Sequence, residues 1–305
     1  MELRYITADI FTDSRFGGNP LAVLPNAPEL SDELMLAITR EFNYSETVFV
    51  QPPERPFNTR KLRIFTPGGE VPFAGHPTVG AAHVLAAIGE IPLNGEETRI
   101  TFEEKVGLVP VRIVSQDGAP VFCQLSAARL PEVGPPLPPN AELAAMLGIE
   151  ESDIRSDAMH PQNVTCGLPF AFIPLRDRHA VARAKLNLER WEKTLKGQWT
   201  DMVFVFAMDA QHPSSDVHGR MFGPGANVPE DPATGSACAA LGGYLAMRSH
   251  ERDGTLRWVV EQGFEMGRPS LLHLEVDKRD GEITGVRVGG NTVLVSEGTM
   301  EVPGG

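Results

Sequence analysis

Cysteine is nearly absent from this chain, with three residues in 305: Cys123, Cys166 and Cys238. An odd number at unrelated spacings argues against a disulfide framework and a structural zinc site, and leaves reduced, buried thiols as the expectation. No apolar run reaches the length needed to span a bilayer. Met1-Glu-Leu-Arg-Tyr5 leads into a strand-like stretch with no basic n-region, apolar h-region or small-residue cleavage site, so the chain reads as cytosolic. Basic excess is lacking too: 27 Lys and Arg stand against 40 Asp and Glu, a formal charge of −13. Nucleic acid and anionic membrane surfaces are therefore poor partners.

Common catalytic signatures are also missing. The chain has no Gly-x-Gly-x-x-Gly after a strand, no phosphate loop ending in Gly-Lys-Ser/Thr, no His-Glu-x-x-His and no Gly-x-Ser-x-Gly. Nucleotide cofactors, catalytic zinc and serine hydrolysis lose support, and neither a cofactor nor a metal is expected. His212 and His218 lie near Asp209 and Asp216, but loop histidines are more often solvated than metal-bound.

What the chain does contain is one motif written twice. Arg63-Ile-Phe65-Thr-Pro67-Gly68 leads to Glu70-Val-Pro72-Phe-Ala-Gly75-His76, and Arg220-Met-Phe222-Gly-Pro224-Gly225 leads to Glu230-Asp-Pro232-Ala-Thr-Gly235-Ser236. The offset is 157 residues at the arginines and 160 at the glycines, which fits one three-residue insertion. Two related lobes follow from such self-similarity. Each copy opens an almost wholly apolar stretch, Thr78 to Ile88 and Ala237 to Met247, and a helix apolar on all sides is a buried one.

Around these helices the sequence reads as strands. Tyr5 to Phe11, Leu21 to Leu24, Thr47 to Val50 and Arg60 to Phe65 are candidates, and Gly107 to Val114 turns through Asp117-Gly118 into Val121 to Leu125. Ser31 caps a helix through about Glu41, Asn140 caps a short one, and Val181 to Leu195 has the spacing of an outer amphipathic helix. Pro131 to Pro139 reads as an extended link between lobes, and Thr292 to Ser296 as a closing strand.

Unpaired amides and the dipole at a helix start favour a carboxylate or phosphate, so Gly75 and Gly235 mark two candidate anion cradles. The plainer alternative is that both glycines only supply positive φ for tight turns. Glu46, just before an apolar strand, either caps local amides or acts as an acid/base. His76 stands in the first helical turn, where the dipole favours a neutral imidazole; Asp231 and Ser236 hold the corresponding places in the second copy. A base, a neutral imidazole and an amide-lined anion site suit proton abstraction beside an activated carbon.

These residues resemble the PhzF-like, or phenazine-biosynthesis isomerase, family within the diaminopimelate epimerase fold. The matching segments are Asp9-Ile-Phe11 with Gly18-Asn19-Pro20; Ser45-Glu46-Thr47; Phe65 through Gly75-His76-Pro-Thr-Val-Gly80; Glu230-Asp231-Pro232-Ala-Thr-Gly235-Ser236; and Gln262-Gly263 through Ser270. The resemblance implies an α+β fold of two pseudo-repeated lobes, each a β-barrel-like sheet around a central apolar helix, with the active site in the cleft between them. The lobes would be 1–130, joined by a returning strand at 290–305, and 131–289. It implies cofactor-free proton transfer on a small carboxylate-bearing substrate, usually by a homodimer. Glu46, His76, Asp231 and Ser236 match the catalytic set, and Gly75, His76, Gly235, Ser236 and Asn19 are the expected substrate-binding residues. A racemase, a dehydratase or a catalytically silent binding protein on the same fold is the alternative. Related epimerases and proline racemases place a cysteine before each glycine; here Ala74 and Thr234 stand there, and neither makes a thiolate base. Cys238, inside the apolar helix, reads as packing.

Overall fold

The computed structural model describes residues 1–226 and 228–303. The chain begins with β1 (Glu2–Ile10), β2 (Asn19–Leu24), α1 (Asp32–Phe42), β3 (Glu46–Gln51), β4 (Arg60–Thr66), β5 (Gly69–Val71) and α2 (Gly75–Ala87). β6 (Glu97–Glu104), β7 (Gly107–Gln116), β8 (Ala119–Ser126), β9 (Glu132–Val133) and α3 (Asn140–Leu147) follow. Next come β10 (Gln162–Thr165), β11 (Pro169–Pro174), α4 (Arg178–Arg183), α5 (Leu188–Thr194), β12 (Val203–Ala207) and β13 (Val217–Gly223). The chain closes with β14 (Val228–Asp231), α6 (Gly235–Ala246), β15 (Gly254–Gln262), β16 (Ser270–Arg279), β17 (Glu282–Gly290) and β18 (Thr292–Glu301). By its contacts it divides into one compact unit of residues 1–128 with 289–305 and another of residues 129–288.

Within the first unit, β2 runs parallel to β3, β3 antiparallel to β4, and β4 forms a hairpin with β5. After α2, β6 pairs parallel with β4 and antiparallel with β7. The second unit repeats that pattern: β11 is parallel to β12, β12 antiparallel to β13, and β13 forms a hairpin with β14. After α6, β15 pairs parallel with β13 and antiparallel with β16. The duplicated sequence motif thus sits on a duplicated pairing scheme, each copy occupying the hairpin that leads into an apolar helix.

Burial explains why these two helices are so uniform in composition. Every residue of α2 from Gly75 to Ala86 is buried, and so is every residue of α6 except Ser236. α2 packs against β1, β2, β3, β7, β8 and β18, and α6 against β10, β11, β15 and β16. At Gly80 a Cβ would lie 2.5 Å from Leu21 Cδ2 and 2.6 Å from Ile10 Cδ1, so only glycine admits the strands this closely. Each fully buried Val or Leu along these helices contributes about 1.5–3 kcal/mol.

The other helices depart from expectation in places. α1 is capped by Ser31, whose hydroxyl accepts from Leu34 N at 3.2 Å, and ends on Asn43 at φ 53°. Asn140 is not a cap but the first residue of α3; Pro139 precedes it without a side-chain bond. The single helix expected over Val181 to Leu195 is two. Asp177 caps α4 by accepting from Ala180 N at 2.8 Å, and Asn187 caps α5 by accepting from Arg190 N at 3.0 Å. Between them Lys185 N and Asn187 N donate to the carbonyls of Leu147 and Met146, which pulls the chain out of helix. In the β7–β8 hairpin, Asp117 (φ 52°) and Gly118 (φ 78°) form the two-residue turn foreseen from their sequence.

Candidate active site

Three sequence-selected residues of the first unit come together. Glu46 opens β3, whose parallel register sets it beside Leu21, two residues along β2 from Asn19. His76 is the second residue of α2. Asn19 Nδ2 donates to His76 Nδ1 at 3.2 Å, and His76 Nε2 lies 3.2 Å from Glu46 Oε2. Asn19 is wholly buried, the His76 ring nearly so, and the Glu46 side chain keeps 15% exposure. Burial drives the His76 pKa down to about 3, so the ring is neutral. With Nδ1 accepting from Asn19, the single ring proton belongs on Nε2, close to the carboxylate but outside hydrogen-bond geometry with it.

The helix start behind these residues is uncapped. Ala74 and Thr234, the residues before α2 and α6, make no side-chain cap bond. Neither Gly75 nor Gly235 has positive φ, so the two glycines are not there to turn the chain. Pro77 removes one amide from the first turn of α2, which leaves the N–H groups of Gly75 and His76; α6 has those of Gly235, Ser236 and Ala237. Ser236 is half-buried.

In the second unit Asp231 ends β14 and is buried. Thr234 Oγ1 donates to Asp231 Oδ2 at 2.5 Å and accepts from Gln262 Nε2 at 3.0 Å. Gln262 Nε2 also reaches Asp231 O at 2.7 Å, and its Oε1 accepts from Thr234 N at 3.1 Å. Thr234 is thus a link between the aspartate and β15. Gly263 (φ 78°) follows because a Cβ would collide with the carbonyls of Arg268 and Pro232. Gln262-Gly263 drew notice in the sequence only as a matching segment, since a lone glutamine has no spacing that announces a partner.

The arginines and glutamates of the repeated motif turn out to be clasps. Arg63 Nε donates to Glu70 at 2.8 Å, with its guanidinium 5.3 Å from the Phe65 ring centre. Arg220 grips Glu230 through two bonds of 2.8 and 2.9 Å and lies 4.9 Å from the Phe222 ring centre. Arg220 also donates to the carbonyls of Val181, Ala182 and Ala184 at the end of α4.

His218 is not a solvated loop histidine. It lies on β13, 2% exposed, with Nδ1 2.6 Å from Glu261 Oε1 and Nε2 2.8 Å from Glu265 Oε1. Burial opposes the charged ring, but these two carboxylates outweigh it and raise the pKa to about 9. His212 is exposed and bonds Ser214, while Asp216 accepts from Val259 N. All three cysteines are free and buried. Burial raises their pKa values, to about 12 for Cys166, and the Asp231 charge adds to the effect at Cys238. Cys238 is a packing residue.

The family model described as phenazine biosynthesis-like protein, PhzC-PhzF, matches residues 8–298. The chain belongs to this family. An uncharacterized isomerase of Mesorhizobium japonicum is 38% identical, over 97% of this chain and 98% of its own. The trans-2,3-dihydro-3-hydroxyanthranilate isomerase of Pseudomonas aeruginosa is 33% identical over the same shares. Among solved structures, the PhzF-family phenazine biosynthesis protein of Bacillus anthracis superposes with a TM-score of 0.89 at 25% identity, covering 99% of this chain and all of that one. A hydroxyproline epimerase of Agrobacterium vitis shares the fold at 12% identity, with a TM-score of 0.62 over 98% and 91% of the two chains. This PhzC-PhzF chain is thus a mixed α+β protein, and the two curated relatives above, at 33% and 38% identity, are named isomerases. None of its described helices is long and apolar enough to cross a membrane.

Proposed function

We propose that the protein is an isomerase that moves a proton between two carbons of a small, carboxylate-bearing substrate, with Glu46 as the base and acid and without a cofactor. The observation that carries this reading is the line Asn19–His76–Glu46. A neutral imidazole, its Nδ1 accepting from Asn19, sets its Nε2 3.2 Å from a half-buried carboxylate without hydrogen-bond geometry between them. The neutral ring brings no positive charge to that carboxylate and lies outside hydrogen-bond geometry with it, so Glu46 rather than His76 is the group taken to exchange a proton.

Glu46 removes a proton from a carbon next to an unsaturated system, the electron pair shifts along it, and the resulting acid returns the proton to a second carbon. Atoms and charge balance without an electron acceptor. The Gly75 and His76 amides at the start of α2 hold the substrate's carboxylate. The Gly235–Ser236 turn is an equivalent anion-holding element in the second unit, and Asp231 and Ser236 complete the catalytic set. The same reading takes each unit as a β-barrel-like sheet around its apolar helix, lobes 1–130 with 290–305 and 131–289, and the molecule as a cytosolic homodimer.

The test is incubation with trans-2,3-dihydro-3-hydroxyanthranilate in deuterated water, beside Glu46→Gln, following absorbance and label by mass spectrometry. Removing the base should cost about 10²- to 10⁴-fold in turnover. Equal turnover in both proteins removes Glu46 from the mechanism; no turnover in either removes this substrate. Label uptake at one carbon with inversion, and no shift of the double bond, points instead to a racemase.

A further inference from the structure

Glu104, the last residue of β6, is 8% exposed, and its Oε2 is buried with no hydrogen-bond partner among the described residues. Its Oε1 lies 2.7 Å from Thr78 Oγ1, and that hydroxyl lies 2.8 Å from the carbonyl of Ala74. A threonine hydroxyl has one proton and two lone pairs. If Glu104 is ionised, Thr78 can give its proton to the carboxylate or to Ala74 O, and the other close oxygen pair is left with none between them. If Glu104 is a neutral acid, both distances are explained: Glu104 donates to Thr78, and Thr78 donates to Ala74.

The chain of bonds ends at a place that matters. Ala74 immediately precedes α2, and Thr78 lies two residues beyond His76. Val106 N donates to Pro72 O at 2.9 Å, tying the turn after Glu104 to the segment that leads into the helix. Glu104 also borders a surface cavity of about 530 Å³ whose charged lining, the Arg55 guanidinium apart, is paired away from it. There Lys61 holds Glu54, Arg63 and Lys105 hold Glu70, and Glu103 accepts from the amides of Glu54 and Arg55. Among the described residues no cation bonds Glu104, and burial pushes its pKa up to about 8, against the hydrogen bond from Thr78.

We propose that Glu104 is a positioning residue for the anion-holding turn of α2. As a neutral acid it fixes Ala74 through Thr78 and keeps the Gly75 and His76 amides in place; once ionised it takes the Thr78 proton from Ala74 and sets a negative charge behind the turn. The inference deepens the isomerase reading and rests on it for the substrate's carboxylate, but the device itself exists with no substrate present. In turnover, ionisation should raise KM for a carboxylate substrate more than it lowers kcat. Glu104→Gln, whose amide donates to Thr78 as the neutral acid does, should hold KM constant across the same range.

Two measurements on the intact protein need no activity. Infrared difference spectroscopy should show a protonated-carboxyl band at pH 7 that disappears with a midpoint near pH 8 and is missing from Glu104→Gln. After correction for the intrinsic pH dependence, amide exchange of residues 74–78 should quicken several-fold across the same midpoint in the wild type and not in the variant. Thr78→Val serves should Glu104→Gln fail to fold; its exchange should be fast at every pH. Absence of the titrating band, or equal exchange in wild type and variants, overturns the proposal. Failure to turn over the dihydro-hydroxyanthranilate leaves these readouts intact, and turnover without the band leaves the isomerase standing alone.

Discussion

His76 Nδ1 accepts from Asn19 Nδ2 at 3.2 Å, so the proton of the neutral ring sits on Nε2, the nitrogen 3.2 Å from Glu46. One buried amide therefore decides which face of the imidazole the carboxylate meets. Asn19→Leu removes the donor and frees the ring to place its proton on Nδ1. We expect kcat/KM to fall about tenfold, the loss of one hydrogen bond's free energy. Nitrogen-15 spectra should show the second tautomer; a ring still protonated only on Nε2 sinks this assignment.

The Thr234 hydroxyl serves two partners, Asp231 and Gln262. Thr234→Val keeps the shape and removes both the proton given to Asp231 Oδ2 and the acceptor of a Gln262 N–H, a loss of about 1–3 kcal/mol in urea unfolding. Thr234→Ser should recover most of it. Wild-type stability in the valine variant would show that the hydroxyl link is idle.

His218 bridges Glu261 and Glu265 as a buried cation, and Glu261 also accepts from the amides of Gln211 and His212. His218→Leu leaves two carboxylates with their cation removed, at a cost of about 3–5 kcal/mol near neutral pH. The folded ring's pKa, about 9, is above its ordinary value of 6.5. Its stabilisation is therefore complete below pH 6.5 and fades as pH rises through 9. Denaturant titrations should show the gap between wild type and variant largest near pH 6 and shrinking by pH 10. A gap that is constant or grows with pH contradicts the charged bridge.

The two motif arginines should not be equal. Arg63 pairs with Glu70 and the exposed Asp32, whereas Arg220, more deeply buried, also satisfies three carbonyls at the end of α4. Arg220→Ala should cost about 3–5 kcal/mol and Arg63→Ala about 1–2 kcal/mol. Equal losses would mean that the α4 carbonyls find other donors.

Much of this architecture was legible because it depends on local rules. A glycine turn before an apolar run announces α2 and α6; the helix reaches back past Thr78 to Gly75 because Pro77 is tolerated in a first turn. Asp117-Gly118 specifies its hairpin, and Ser31 its cap. The break between α4 and α5 was hidden because it is made by carbonyls of α3, some 40 residues earlier. The clasps, the Thr234–Gln262 link and the His218 bridge join residues at separations that no periodicity records. Glu104 was invisible for a different reason: one acid at the end of a strand looks like any solvated acid until the fold buries it.

β18 has a consequence in time as well as in space. It supplies the partner of β1, from Glu2 opposite Glu301 to Ile10 opposite Thr292. During synthesis the second unit, residues 129–288, has all its sequence available before the first does, although the first leaves the ribosome earlier. Until residues 292–301 emerge, β1 keeps one edge unpaired, the kind of edge that recruits other strands. The nascent chain thus carries an open strand edge on β1 throughout synthesis of residues 129–288, and slowed translation of that stretch should raise aggregation, whereas a pause after residue 301 should not.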